Sequence, residues 1–420
     1  MPAIGGTDGV GRMDRHFIRP TPHQPARGKR GPASYRLMPR PATLRSVPHP
    51  SVVPRTAAAL RTRDHYSRKF TTMDTMLAGR VHLDTKKFVM EEIPVPVPGP
   101  GEVLIEVKAA GVCLSDLHLI DGSISPLHLN SNVLTLGHEI SGVIHSLGPG
   151  LRRDLAVGTR VALQAGQPCR ECATCVRGGT CTSFRGRGVD YDGGWSQYTI
   201  AREDTVVPIP DTLPFDQASI IPDAVSTSYA ALVDTVQVRS AQAVGIWGVG
   251  GVGAHAVRLA RMMGATPIIA VDPLPNARER ALAFGADIAL DPSDPGFAEA
   301  VLRVTDGLGL DYAFDFAGVS RVREQASPLL GDHGSLVLVG ITMEPLTISE
   351  KMTFNLKNKK VYGHYGSSFD HVYELIRLAG SGRLDLAPSI TDHISLADAP
   401  KAIHRLENKI GDPIRLILVP

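Results

Sequence analysis

The chain has 420 residues, 43% of them apolar and 20% charged, the make-up of a globular protein of two or three domains with a sizeable core. Its formal charge of +2 hides an asymmetry: residues 1–72 hold fourteen Lys and Arg against three Asp, leaving thirty basic and thirty-nine acidic residues beyond, a balance of −9. An acidic body argues against a nucleic-acid surface, and the longest uncharged run, Ser240 to Val257, is broken by five glycines, Gln242 and His255, which excludes a membrane span.

Met1 to about Thr72 is rich in Pro and Arg and lacks a periodic apolar pattern, so residues 1–75 are expected to form a disordered basic extension. Three readings stay open. The extension is a mitochondrial transit peptide processed near Arg68-Lys69-Phe70-Thr71, a basic tail, or the product of an unused upstream start, with Met73 or Met76 the real one. The expected location is the cytoplasm, or the mitochondrial matrix on the first reading.

Ordered sequence is expected from near Leu77. Gly99-Pro100-Gly101-Glu102 punctuates the chain, Val103 to Ala109 reads as a strand, Val133 to Ser146 as a strand region, and Val157 to Leu163 as a turn and strand. Strands and glycine turns without long helices predict a β-rich, barrel-like first domain.

From about Ala224 helices and strands alternate, as a doubly wound sheet requires. An apolar strand, Ala243 to Trp247, runs into Gly248-x-Gly250-x-x-Gly253, and Ala256, Leu259, Ala260 and Met263 follow at helical spacing. A second apolar run, Pro267 to Val271, ends at Asp272. The glycines suit a tight turn with backbone close to a pyrophosphate, and Asp272 is placed for a ribose hydroxyl and against a 2'-phosphate, which favours NAD over NADP. Asn276 to Phe284 is predicted as a helix, Ile288 to Leu290 as a strand, Phe297 to Thr305 as a helix, and Tyr312 to Phe316 and Ser335 to Gly340 as strands. A helix over Phe369 to Ala379 and a terminal run, Ile414 to Val419, complete the chain.

Five cysteines occur, four of them as Cys169-x2-Cys172-x2-Cys175-x5-Cys181. Such density points to metal ligation and not to a disulfide framework. Four thiolates complete a tetrahedral zinc shell with no place for substrate, so this zinc would be structural; an iron–sulfur cluster and unliganded cysteines are the alternatives. The fifth lies in Gly111-Val112-Cys113-Leu114-Ser115-Asp116-Leu117-His118, and Gly137-His138-Glu139 follows. Cys113 and His138 are candidate ligands of a second zinc that keeps an open position, able to lower the pKa of a bound alcohol.

Together these motifs, with Val337-Leu338-Val339-Gly340, resemble the medium-chain dehydrogenase/reductase superfamily in its zinc-dependent alcohol dehydrogenase branch. The resemblance spans the chain from about Leu77 to its end. It implies an α/β fold: a GroES-like β-rich catalytic domain over residues 76–223, a Rossmann doubly wound parallel sheet over 224–365, and a return to the catalytic domain over 366–420. It also implies that Asp116 orients the zinc-bound His138, that Ser115 takes the alcohol proton and His118 passes it outward by way of the cofactor ribose, that Thr227 lies against the nicotinamide, and that Val339 and Gly340 line its pocket. Homodimers or homotetramers are the family's assemblies.

The sequence departs from the pattern twice. Asp223 stands where most alcohol dehydrogenases have a third, cysteine ligand. It is read here as the ligand, the competing reading being that Glu139 ligates and Asp223 caps the following helix. Cys175 and Cys181 are two residues closer than usual, a gap that Gly178 and Gly179 are expected to let the loop close. The expected activity is reversible hydride transfer between a primary or secondary alcohol and NAD, giving an aldehyde or ketone. The rivals are a zinc-independent enone or quinone reductase of the same superfamily and a non-catalytic NAD-binding scaffold.

Overall fold

The computed structural model describes residues 74–129 and 131–420. Apart from Asp74 and Thr75, the basic extension, with the candidate processing site and the candidate start Met73, lies outside the described residues. Thr75 opens a strand, Thr75–His82, two residues ahead of the expected start of order.

Thr75–His82 pairs antiparallel with Lys87–Pro94 and with Val133–Thr135. Beside this small sheet, a seven-stranded one runs in the order Val206–Pro208, Arg160–Leu163, Ile140–Leu147, Glu102–Val112, Arg415–Val419 and Ile390–Ser395, with Tyr198–Arg202 also on Glu102–Val112. Val103, Ile105, Ile140, Ile144, Val161 and Trp195 fill its core.

The strand region expected over Val133 to Ser146 is two strands, Val133–Thr135 and Ile140–Leu147. Gly137 breaks it. Its φ of +94° is open to glycine, and a Cβ there would sit 2.2 Å from Trp195 Cδ1. The ladder therefore stops, and His138 and Glu139 turn inward instead of alternating across a sheet.

A six-stranded parallel sheet follows, in the order Ile288–Leu290, Ile268–Val271, Val244–Trp247, Leu310–Asp315, Leu330–Leu338 and Lys360–Gly363. Numbered along the chain this is 3-2-1-4-5-6, an order in which dinucleotides bind at the carboxyl ends of the strands, at the switch point between the first and fourth. Helix Gly253–Met263 turns Ala256, Leu259 and Ala260 to one face of the sheet, and Phe297 and Val301 of Phe297–Val304 cover the other beside Trp247. The strand expected to reach Gly340 ends at Leu338, because the amides of Val339 and Gly340 both turn to Asp315 O, at 2.9 and 2.7 Å. Lys360–Gly363, at four residues too short to show alternation, is a strand the pattern does not reveal.

The chain then returns to the first sheet. Leu416, Ile417 and Leu418 pair with Val112, Gly111 and Ala110, which brings the last strand alongside Cys113. Among the described residues no helix is long and apolar enough to cross a membrane.

Candidate functional site

Cys113 is the residue before helix Leu114–Asp121, and its amide donates to Asp116 Oδ2 at 2.9 Å, tying the turn together. Fully buried Asp116 also accepts from Gly137 N at 3.3 Å and stands 3.5 Å from His138 Nδ1, so one carboxylate holds the Cys113 turn against the Gly137 break. Asp223 enters from a π-helical turn, Ile221–Val225, a local widening that such sites often use. Its Oδ2 lies 3.4 Å from His138 Nε2 and 3.6 Å from Cys113 Sγ, and its Oδ1 accepts from Thr227 Oγ1 at 3.1 Å. Helix Ser226–Ala230 begins after Val225 with no side-chain cap, so Asp223 does not play the capping role.

Glu139 completes the cluster: ligand atoms of Cys113, His138, Glu139 and Asp223 all lie within 4.8 Å of one another. Burial pushes Glu139 up to about 7 against the pull of Arg415. Burial disfavours a charged His138, but Asp116 and Asp223 outweigh it and raise the imidazole well above its usual range. Asp223, also pushed up by burial, is held well below the carboxylate range by its bond to His138. Two carboxylates, a thiol and an imidazole thus converge on one point, the donor set of a cation site.

The donors fit zinc. A tetrahedral shell of S, N and O ligands has edges of roughly 3.3–3.8 Å, matching the His138–Asp223 and Cys113–Asp223 spacings of 3.4 and 3.6 Å. Glu139 Oε2 is buried without a hydrogen-bond partner, and Asp223 keeps 23% of its side chain accessible, so the cluster has a free donor atom and an open side. Ser115 Oγ is 3.8 Å from Cys113 Sγ, and His118 follows one turn later on the same helix face.

Cys169, Cys172, Cys175 and Cys181 form a second cluster, with Sγ separations of 3.4 Å for Cys169–Cys181 and 4.0 Å for both Cys169–Cys175 and Cys172–Cys181. These approach the ~3.8 Å edge of a ZnS4 tetrahedron. Amides of Cys169, Cys172, Cys175 and Ser183 point at the sulfurs at 3.2–3.5 Å, stabilising thiolates. The short gap closes with Gly178 in the left-handed region at φ +74°.

Gly248 has φ +86°, and a Cβ on Gly253 would lie 1.9 Å from Gly248 O, so the turn needs both glycines. At Gly250 the backbone meets open space, and no side chain caps helix Gly253–Met263, leaving its N-terminus available to phosphate. Asp272 is nearly buried, accepting from Val249 N at 2.8 Å and Leu274 N at 2.9 Å. It braces the glycine turn as well as ending the second strand.

Arg415 is the charged residue that sequence reading passed over. Its Nε and Nη2 lie 3.1 Å from Glu139 Oε1, and a Cβ on Gly251 would fall 1.8 Å from its Nη1, so it reaches from the metal cluster to the glycine turn. An arginine inside the apolar run Ile414 to Val419 was the available signal, since a buried guanidinium needs a carboxylate.

Residues 99–211 match the alcohol dehydrogenase GroES-like domain, and residues 251–381 match the zinc-binding dehydrogenase domain. The chain is 31% identical to the L-threonine 3-dehydrogenase of Pyrococcus horikoshii over 306 residues, 71% of this chain and 86% of that one. It is 34% identical to an alcohol dehydrogenase of Rhizobium meliloti over 313 residues, 74% and 90% of the two. A crystal structure from Sinorhizobium meliloti 1021, named as a zinc-binding dehydrogenase and bound to NADP, superposes with a TM-score of 0.75 at 26% identity, covering 83% of this chain and all of the other. The chain belongs to the zinc-dependent alcohol dehydrogenase family of the medium-chain dehydrogenase/reductase superfamily.

Proposed function

We propose that the protein is a zinc-dependent dehydrogenase that transfers hydride reversibly between a primary or secondary alcohol and NAD, giving an aldehyde or ketone. The observation that carries this is the Cys113, His138, Glu139 and Asp223 cluster, open on one side and joined through Arg415 to the glycine turn. Cys113, His138 and Asp223 hold the catalytic zinc, and the four-cysteine lobe holds a structural one. A zinc held there would supply Lewis-acid polarisation of a substrate oxygen, and a nicotinamide cofactor would supply the hydride exchange.

The chain's own groups do the rest. Asp116 fixes His138 through Nδ1 and the Cys113 turn through its amide, holding the ligands in register. Ser115, at the cluster's edge, would accept the alcohol proton, and His118, one turn along the same helix face, would pass it outward, the ribose of a bound cofactor being the expected link. Thr227, held by Asp223, bounds the nicotinamide, and Val339 and Gly340 form the pocket's far wall. The Asp272 carboxylate supports NAD over NADP, its charge opposing a 2'-phosphate. Retention of ligands and relay together speaks against the zinc-independent reductase and the inert scaffold. A homodimer or homotetramer acting on small molecules, without nucleic acid or membrane, completes the proposal.

The test is zinc content by elemental mass spectrometry, for the protein and for Cys113→Ser, beside NAD reduction with a panel of alcohols. Two zincs per chain falling to one, with turnover lost, is the expected result. One zinc that survives the substitution would end the proposal.

A further inference from the structure

Asp315 ends the fourth strand of the parallel sheet, and its carboxylate is fully buried. Oδ1 accepts from Ala317 N at 3.0 Å and Gly318 N at 2.8 Å, and Oδ2 accepts from Arg323 Nε at 2.7 Å. Its backbone oxygen takes the amides of Val339 and Gly340. Arg323 closes the circuit by donating from Nη2 to Gly340 O at 3.0 Å. Both polar ends of Gly340 are therefore tied, its N–H to Asp315 and its carbonyl to Arg323. The two loops also touch: a Cβ on Gly340 would lie 2.2 Å from Gly318 N.

A buried ion pair is a poor way to gain stability, since an apolar pair of equal volume serves as well or better. It is a good way to fix orientation, because a guanidinium has directional donors that an apolar side chain lacks. Here the oriented object is the loop at the carboxyl end of the fifth strand, on the crevice side of the sheet.

We propose that Arg323, through Asp315, is a positioning residue for the nicotinamide half of the dinucleotide, latching the Val339–Gly340 loop that forms that wall; this rests on the cofactor reading above. The adenosine half, held at the glycine turn and Asp272, lies outside the latch. Loss of the latch should therefore weaken nicotinamide contacts selectively.

The experiment measures, by calorimetry on the full chain, the affinities for NADH and for ADP-ribose, which lacks the nicotinamide. Arg323→Lys keeps a charge for Asp315 but not the second arm to Gly340. Asp315→Asn/Arg323→Met removes both charges together, so no buried ion is orphaned. In both, NADH affinity should fall about tenfold, ~1.4 kcal/mol, with ADP-ribose affinity within about twofold of the parent. Equal losses for both ligands would mean a merely structural role, and unchanged NADH affinity would mean no role; either overturns the proposal. A parent protein that binds ADP-ribose and NADH equally would instead refute the nicotinamide reading itself.

Discussion

Arg415 and Glu139, 276 positions apart, form an ion pair in which Arg415 Nε and Nη2 each lie 3.1 Å from Glu139 Oε1, with side chains 3% and 0% accessible. The pair joins the last strand to the Gly137 break beside the metal ligands. Removing Arg415 leaves Glu139 buried without its cation, and the carboxyl must stay charged at a cost or take up a proton, so Arg415→Met should destabilise the fold by up to about 3–5 kcal/mol, most of which Glu139→Gln/Arg415→Met should recover. Urea unfolding of the three proteins tests it. A double variant no more stable than Arg415→Met would show that the cost is lost packing, not an orphaned charge.

Asp223 and Glu139 both reach the metal cluster, and the proposal above takes Asp223, 3.4 Å from His138 Nε2 and 3.6 Å from Cys113 Sγ, as the third ligand. Asp223→Ala should lose one zinc per chain and lower turnover by more than about 100-fold, beyond the roughly 10–100-fold expected of an outer-shell loss such as Asp116→Asn. Glu139→Gln should keep both zincs. The reverse pattern of metal content would make Glu139 the ligand.

The cysteine lobe has no open coordination position, so its metal should matter to structure and not to chemistry. Cys175→Ser should lose the other zinc equivalent and expose the 169–182 segment to limited proteolysis, while the active-site metal stays bound. Ties from Arg170 and Arg202 to Asp204 still anchor the lobe's base. Turnover that falls as far as in Cys113→Ser would refute this division of labour.

Asp272 holds the amides of Val249 and Leu274, and on the proposed NAD reading its charge would also oppose a 2'-phosphate. Absolute affinities therefore mix two effects, and the informative quantity is the ratio of kcat/KM for NAD to that for NADP. Asp272→Asn should lower that ratio at least about tenfold, equivalent to ~1.4 kcal/mol. A ratio that does not move would assign the residue to bracing the turn alone.

Much of this was legible in the sequence because motif and geometry coincide. The spacing of Gly248, Gly250 and Gly253 after an apolar strand specifies a turn, and four close cysteines have few other ways to pack. What escaped depends on contacts across the chain. Nothing near Ile414 reveals that Arg415 meets Glu139, and nothing near Phe314 reveals that Asp315 holds Arg323 and the Gly340 loop. The break at Gly137 was hidden by the apolar run around it, since Trp195, which fills the space a side chain there would need, folds in from 58 positions away.

His255, buried on helix Gly253–Met263, was read only as a polar interruption of an uncharged run. Gly251 O, an acceptor, lies 2.9 Å from its Nδ1, so that nitrogen carries the proton, and Nε2, 3.0 Å from Ser389 Oγ, accepts from the hydroxyl. The neutral ring satisfies both partners, whereas a protonated ring would reverse the Ser389 bond and place a buried charge near Arg415. Burial first, then nearby Arg415, lowers its pKa from 6.5 to about 3. Between those values the unfolded chain binds a proton that the native chain refuses. Stability from this residue is therefore complete above about pH 6.5 and is lost as pH falls toward 3, at about 1.4 kcal/mol per unit. Between pH 7 and pH 5 the parent should lose about 2 kcal/mol more than His255→Gln. Urea unfolding of both proteins at the two pH values isolates the difference, because the metal sites and other carboxylates are common to both. Parallel losses would mean that His255 accepts a proton in the folded state and that the neutral, doubly bonded ring is the wrong description.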